Sequence, residues 1–111
     1  MEYTETIERM KGGRLYYCSD ERLQAEQMQR MDKVFAFNQL PPSHLEEKAA
    51  LLREMFAEIG ENCYLETPFF SNWGGKHVHF GNGVYANFNL TLVDDGDIYV
   101  GDRVMMGPNV V

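Results

Sequence analysis

From Phe80 onward the chain counts in sixes. The blocks FGNGVY (80–85), ANFNLT (86–91), VGDRVM (100–105) and MGPNVV (106–111) each begin with an apolar or small residue. Each carries Val or Leu in fifth place, at Val84, Leu90, Val104 and Val110, and three of the four carry glycine second. An antiparallel meander is the alternative, but it would alternate with period two between turns. A six-residue register instead predicts a parallel β-helix, in which three short strands close one triangular coil of roughly eighteen residues. First-position side chains then point inward, and the glycine beside them is expected to give the corners backbone freedom. Phe80 and Val100 are twenty positions apart, which is one coil plus a two-residue bulge near VDDGD.

Such a coil buries its inner face only by stacking, so a solenoid needs about three coils and a cap. This register supplies fewer than two, and Val110 and Val111 read as the interior of a repeat whose continuation is missing. The expectation is an incomplete solenoid with an open last coil, as in a truncated piece of a longer chain.

The first sixty residues have a different period. Ile7 and Met10 lie three apart in a short amphipathic turn that ends at Gly12-Gly13, a breaker pair. Ser19 or Asp20 is placed to cap a second helix with Ala25, Met28, Met31 and Phe35 along one face, predicted to pack against a neighbour, with the lining of a binding groove as the alternative. Ser43 and Glu46 form a capping box for a third helix. Leu45, Ala49, Leu52, Phe56 and Ile59 then share one side, and Gly60 supplies a left-handed end. The expected class is α+β: a helical segment over 1–60, then the first coils of a β-helix over 61–111.

Composition narrows the function classes. The 111 residues carry a net charge of −7 and no basic stripe of the kind nucleic acid requires. No apolar run is long enough for a membrane span, and MEYTETIERM is charged from its second residue, unlike a cleavable signal. A cytoplasmic, soluble protein is expected. Cys18 and Cys63 lie in no metal-like spacing and read as buried free thiols, with a bridge as the alternative.

A longer pattern runs through the chain: GRLY, FN before a proline-containing loop, LLREMFAEIGEN, ETPFF, WGG, HVHFGNGVYANFNLTLVDD and VGDRVMMGPNV. It closely resembles the sugar O-acetyltransferases of the hexapeptide-repeat superfamily, the maltose and galactoside acetyltransferases and their nodulation relatives. The resemblance implies a left-handed β-helix, a homotrimer, and acetyl-CoA and a sugar acceptor bound in clefts between subunits. It also implies a histidine general base on the acceptor hydroxyl, which is needed because such a hydroxyl is protonated at neutral pH, and donors that stabilise the oxyanion.

Carried over by position, Asn87 in YANFN resembles the polar residue at the reacting centre, and Tyr85 would line the same cleft. Asp95, the second acid of VDD, resembles the carboxylate that accepts sugar hydroxyl hydrogens. Asn72 in SNWGG stands where relatives carry a short polar or acidic side chain. Asn82, Asn89 and Asp102 read as solvated corner residues. Where relatives place an acid after LY, this chain has Tyr17 or Cys18, with Asp20 displaced. The catalytic histidine of the family falls just past GPNV, beyond Val111, and His44, His77 and His79 do not substitute for it. His77 and His79 could suggest a metal pair, but without a third ligand they read as solvated. A non-catalytic remnant or assembly module is therefore the alternative to an enzyme.

Overall fold

The computed structural model describes all residues, 1–111. Three helices come first: α1 (Tyr3–Lys11), α2 (Glu21–Asn38) and α3 (Leu45–Met55). Asp20 caps α2, its Oδ1 accepting from the backbone N–H groups of Arg22 at 2.9 Å and Leu23 at 3.3 Å, so two otherwise orphaned donors are satisfied. The capping box expected at Ser43 does not form. His44 takes the N-cap position without a side-chain bond, because its N–H closes a turn onto Pro41 O at 3.0 Å and leaves Ser43 outside the helix.

The apolar faces also differ from expectation. In α2 the residues turned inward are Leu23, Val34 and Phe37, whereas Met28 and Phe35 are 67% and 68% exposed. Helix α3 ends at Met55 and not at Gly60. Phe56 leaves it in extended conformation and Ile59 already belongs to a strand. No helix is long and apolar enough to cross a membrane.

Eight strands follow: β1 (Glu58–Ile59), β2 (Tyr64–Leu65), β3 (Phe69–Ser71), β4 (Val78–Phe80), β5 (Tyr85–Ala86), β6 (Leu90–Leu92), β7 (Ile98–Val100) and β8 (Met105–Met106). They form three parallel sheets in the orders β1-β4-β7, β2-β5-β8 and β3-β6. That is the coil the six-residue register predicts, but it is longer than expected. Eight strands, three to a coil, make more than two coils where the register from Phe80 alone counted fewer than two, because the segment from Glu58 to Ser71 already forms a rung of each sheet. Its first rung, Glu58–Ile59, lies just ahead of the boundary expected at residue 61. Glu58 pairs with His79 and Tyr64 with Tyr85, 21 positions on, while Val78 pairs with Ile98 and Tyr85 with Met105, 20 positions on.

First and fifth positions of the repeat both point inward. Phe80, Val84, Ala86 and Leu90 are buried, and Val100, Val104, Met106 and Val110 are half-buried. Phe37, Leu52, Met55 and Phe56 join the same core from the helical side. Phe56 meets Phe80 edge-on at 4.9 Å, and Phe37 meets Phe69 at 6.3 Å. Each such side chain contributes about 1.5–3 kcal/mol of burial. The helices therefore supply the apolar cover that the first coil would otherwise lack.

The repeat glycines act differently from the expectation. Left-handed backbone falls at the fourth position of each block, at Gly83, Asn89, Arg103 and Asn109, with φ between 58° and 66°. The second-position glycines have no such φ. Only one of them serves close approach: a Cβ on Gly81 would overlap Asp102 Oδ1, whereas one on Gly101 or Gly107 would meet nothing within 4 Å. Asn82 and Asp102 are exposed corner residues, as expected, and they also knit the corner together. Glu61 N donates to Asn82 Oδ1, and Asn82 N to Asp102 Oδ1, both at 2.8 Å. Asn89 is exposed too, and its Nδ2 donates to Asn109 Oδ1 at 3.1 Å.

Candidate functional site

The corner after β3 and β6 is organised by a residue outside the predicted set. Asp94 is 0% exposed. Its Oδ1 accepts from Ser71 Oγ at 2.6 Å and Trp73 N at 2.7 Å, and its Oδ2 from Gly75 N at 3.1 Å and His77 N at 3.4 Å. A buried carboxylate so provided with donors holds the SNWGGKH loop in one shape. Ser71, Asp94 and His77 are all buried, yet they do not form a nucleophilic triad. The His77 Nδ1 lies 2.7 Å from the Asp94 carbonyl oxygen, so this nitrogen is engaged by backbone, and the Ser71 hydroxyl donates to the carboxylate. The signal for Asp94 was the parity of the strand: Leu92 faces in, Val93 out, Asp94 in and Asp95 partly out.

Helix α2 locks onto that loop. Arg30 Nε donates to Trp73 O at 3.2 Å and its guanidinium also reaches Met55 O. Lys76 pairs with Glu26, whose other oxygen accepts from Tyr3 OH at 2.8 Å. Glu26, Gln27 and Arg30 share a helix face at spacings of three and four, a polar stripe that the sequence reading passed over.

Two predicted site residues meet at this corner. Asn72 Nδ2 donates to Asp95 Oδ1 at 2.6 Å. Gln27 Nε2 donates to Asn72 Oδ1 at 2.7 Å and to Asn72 O at 3.2 Å. Tyr16 stands by the same carboxylate; burial raises its phenol above the usual range, and the negative charge of Asp95 adds to this. Tyr16 thus takes the place beside Asp95, while Tyr17 and Cys18 are exposed. Cys63 is half-buried and both thiols are free, so the expectation of two buried thiols fails at Cys18. Asn72 also lines a groove of about 440 Å³ between α2 and the β3-β6 sheet, where Met31, Phe35, Phe70 and Val93 supply apolar walls.

The other two predicted residues sit at a different corner. Tyr85 lies in β5, stacked on Tyr64 at 6.4 Å between centroids, and its hydroxyl donates to Glu66 Oε2 at 2.9 Å. That hydrogen bond, with burial behind it, raises the Tyr85 phenol. The buried Lys48 donates to Tyr64 OH at 3.0 Å. Asn87 follows directly, with Oδ1 accepting from Phe88 N at 2.8 Å. Its amide oxygen is thereby engaged locally, and Nδ2 remains as a two-hydrogen donor. Asn72 and Asp95 are joined; Tyr85 and Asn87 share a separate corner.

His77 and His79 are not solvated as read from the sequence. His77 is 4% exposed. His79 lies between Glu58, with Nδ1 3.1 Å from Oε1, and Asp97, with Nε2 3.0 Å from Oδ1, and stacks on Tyr99 at 4.3 Å. Asp97 also pairs with Lys11 of α1 at 3.3 Å. The bond to Asp97, against some desolvation, raises the His79 pKa. A raised folded pKa stabilises the fold fully below the unfolded value of about 6.5, and that gain is lost as pH rises through the folded value. The unfolding free energy is therefore expected to fall across that interval in the parent. In His79→Gln this slope should disappear when urea midpoints are compared along a pH series. The two ring nitrogens lie near separate carboxylates, and no group of three or more metal-type ligands exists.

Comparison with known proteins places this geometry. Residues 9–60 match the maltose acetyltransferase hexapeptide capping motif. The chain is 50% identical over 110 residues to a galactoside O-acetyltransferase of Lactococcus lactis, covering 99% of this chain and 53% of that protein. Among solved structures, a maltose O-acetyltransferase from Clostridium difficile superposes with a TM-score of 0.89 at 29% identity, covering 94% of this chain and 55% of the other. A galactoside acetyltransferase in complex with coenzyme A gives 0.85 at 37% identity, covering 97% and 52%. The chain spans about half the length of the curated relatives it matches. On its helical capping segment, its hexapeptide coils and these similarities, the chain belongs to the maltose and galactoside O-acetyltransferase family and corresponds to an N-terminal portion of its members.

Proposed function

We propose that the protein transfers an acetyl group from acetyl-CoA to a hydroxyl of a sugar, and that this chain supplies part of the acceptor side. The observation that carries the reading is the 50% identity to a galactoside O-acetyltransferase along nearly the whole chain. The Asn72–Asp95 pair suits the task. An ionised carboxylate accepts from sugar hydroxyls, and the amide beside it can donate to them.

In the reaction the acceptor oxygen forms a bond to the thioester carbonyl carbon while a general base takes its proton. The tetrahedral intermediate then expels the thiolate of coenzyme A, which regains a proton. By family resemblance the base is a histidine on coils past Val111, the coil is left-handed, and the working unit is a cytoplasmic homotrimer with clefts between subunits. Such clefts give a reason for the separation of the two corners. Tyr85 and Asn87 of one subunit could then face a different part of the cleft from Asn72 and Asp95. Asn87, its oxygen held by Phe88 N, supplies an Nδ2 donor of the kind an oxyanion requires.

The test is acetyl-CoA-dependent thiol release by the complete protein with galactosides and maltose as acceptors. Asn87→Ala is expected to lower kcat by about 2–3 kcal/mol of transition-state stabilisation with the KM for acetyl-CoA nearly unchanged. Asp95→Ala is expected to raise the acceptor KM. No transfer to any sugar by the complete protein would favour a non-catalytic module.

A further inference from the structure

Two backbone and side-chain facts determine which way the Asn72 amide faces. Gln27 Nε2 lies 3.2 Å from Asn72 O and 2.7 Å from Asn72 Oδ1. A backbone carbonyl only accepts, so the Gln27 group facing it must be the NH2. The atom of Asn72 that shares this NH2 must then be its oxygen. The Asn72 nitrogen is left facing Asp95 Oδ1 at 2.6 Å, and a carboxylate again only accepts. The chain of bonds thus has an obligate acceptor at each end and a single consistent orientation between them.

We propose that Gln27 is a positioning residue of the acceptor subsite: it holds the Asn72 amide with Nδ2 toward Asp95, leaving the second Nδ2 hydrogen and remaining Asp95 lone pairs as a paired donor and acceptor for the hydroxyls of a neutral polyol. The assignment rests on the acetyl-transfer reading for the identity of the ligand, but not for the clamp itself. No cation pairs with Asp95, whose described neighbours are the neutral Asn72 and Tyr16. The subsite accordingly selects against anionic sugars, which the Asp95 charge repels.

Two variants separate positioning from mere packing. Gln27→Glu keeps the shape but turns an oxygen toward Asn72, so the amide must rotate and present Oδ1 to Asp95. Gln27→Leu removes the polar contact and leaves the amide free. In the 15N-labelled 111-residue chain, the Asn72 side-chain amide resonance is followed from about pH 3 to 7, the interval in which carboxylates ionise. It is expected to track an ionisation in the parent, and to lose that response in both variants. Methyl β-galactoside is then titrated at neutral pH into the complete protein and its two variants. The expected order is parent strongest, Gln27→Leu about threefold weaker and Gln27→Glu about tenfold weaker. A packing role predicts the reverse order for the variants, since glutamate keeps the side-chain volume; that order, or an Asn72 response unchanged in both variants, overturns the proposal. If the response is lost in the variants but the parent ignores the sugar, the clamp stands and the acceptor reading of this corner fails.

Discussion

Asp94→Asn is expected to destabilise the chain by about 3 kcal/mol, and Asp94→Ala by about 4–5 kcal/mol. The asparagine would keep an oxygen for Ser71 Oγ and Trp73 N. Its NH2 would face the N–H groups of Gly75 and His77, which now meet Oδ2 at 3.1 and 3.4 Å. Two buried donors would lose their acceptor, at about 1–3 kcal/mol each. Alanine removes all four acceptor contacts and leaves a polar void. Against a total stability of about 5–15 kcal/mol for a domain, Asp94→Ala approaches loss of the fold, so the asparagine variant carries the quantitative test. Asp95→Asn, one residue on and partly exposed, should change stability by less than about 1 kcal/mol. Urea midpoints read both. A shift below 1 kcal/mol for Asp94→Asn would show that Asp94 does not hold the loop.

Gly81→Ala is expected to cost about 3 kcal/mol, and Gly101→Ala less than about 0.5 kcal/mol. Both glycines occupy the second position of a repeat, so the sequence register alone would treat them alike. A Cβ at Gly81 would overlap Asp102 Oδ1 and lie 2.9 Å from the Asp102 backbone nitrogen. The carboxylate cannot swing aside without releasing Asn82 N, which it holds at 2.8 Å. The nitrogen belongs to the coil backbone and cannot give. A Cβ at Gly101 meets nothing within 4 Å, and neither glycine has a left-handed φ. Equal losses for the two variants would return the explanation to backbone freedom.

Much of the fold was legible from residue spacing. The in-facing first positions, the parallel pairing from Phe80 to Val100 and the capping of α2 all follow from local periodicity and local hydrogen-bond chemistry. The helix faces did not. Met28, Met31 and Phe35 recur at helical spacing as neatly as a buried stripe does, but the chain turns Val34 and Phe37 to the core instead. Propensity and period state which residues can share a face; only the docking partner selects the face that is covered.

The candidate site divides the same way. Asn72 and Asp95 were named from motif positions, and their 2.6 Å contact joins a helix-clamped loop to a corner 23 residues later. Gln27, 45 residues before Asn72, carried no motif and could not be found by spacing. Asp94 was overlooked beside Asp95, although strand parity distinguishes them.

Residue spacing sets a coil of six-residue steps behind a helical segment, because each inward side chain and each corner depends on neighbours within one turn. The tertiary structure alone decided which acid is buried, which helix face is covered and how the Asn72 amide points. Those outcomes depend on pairing hydrogen-bond donors with acceptors between segments tens of residues apart, and no local pattern encodes that pairing.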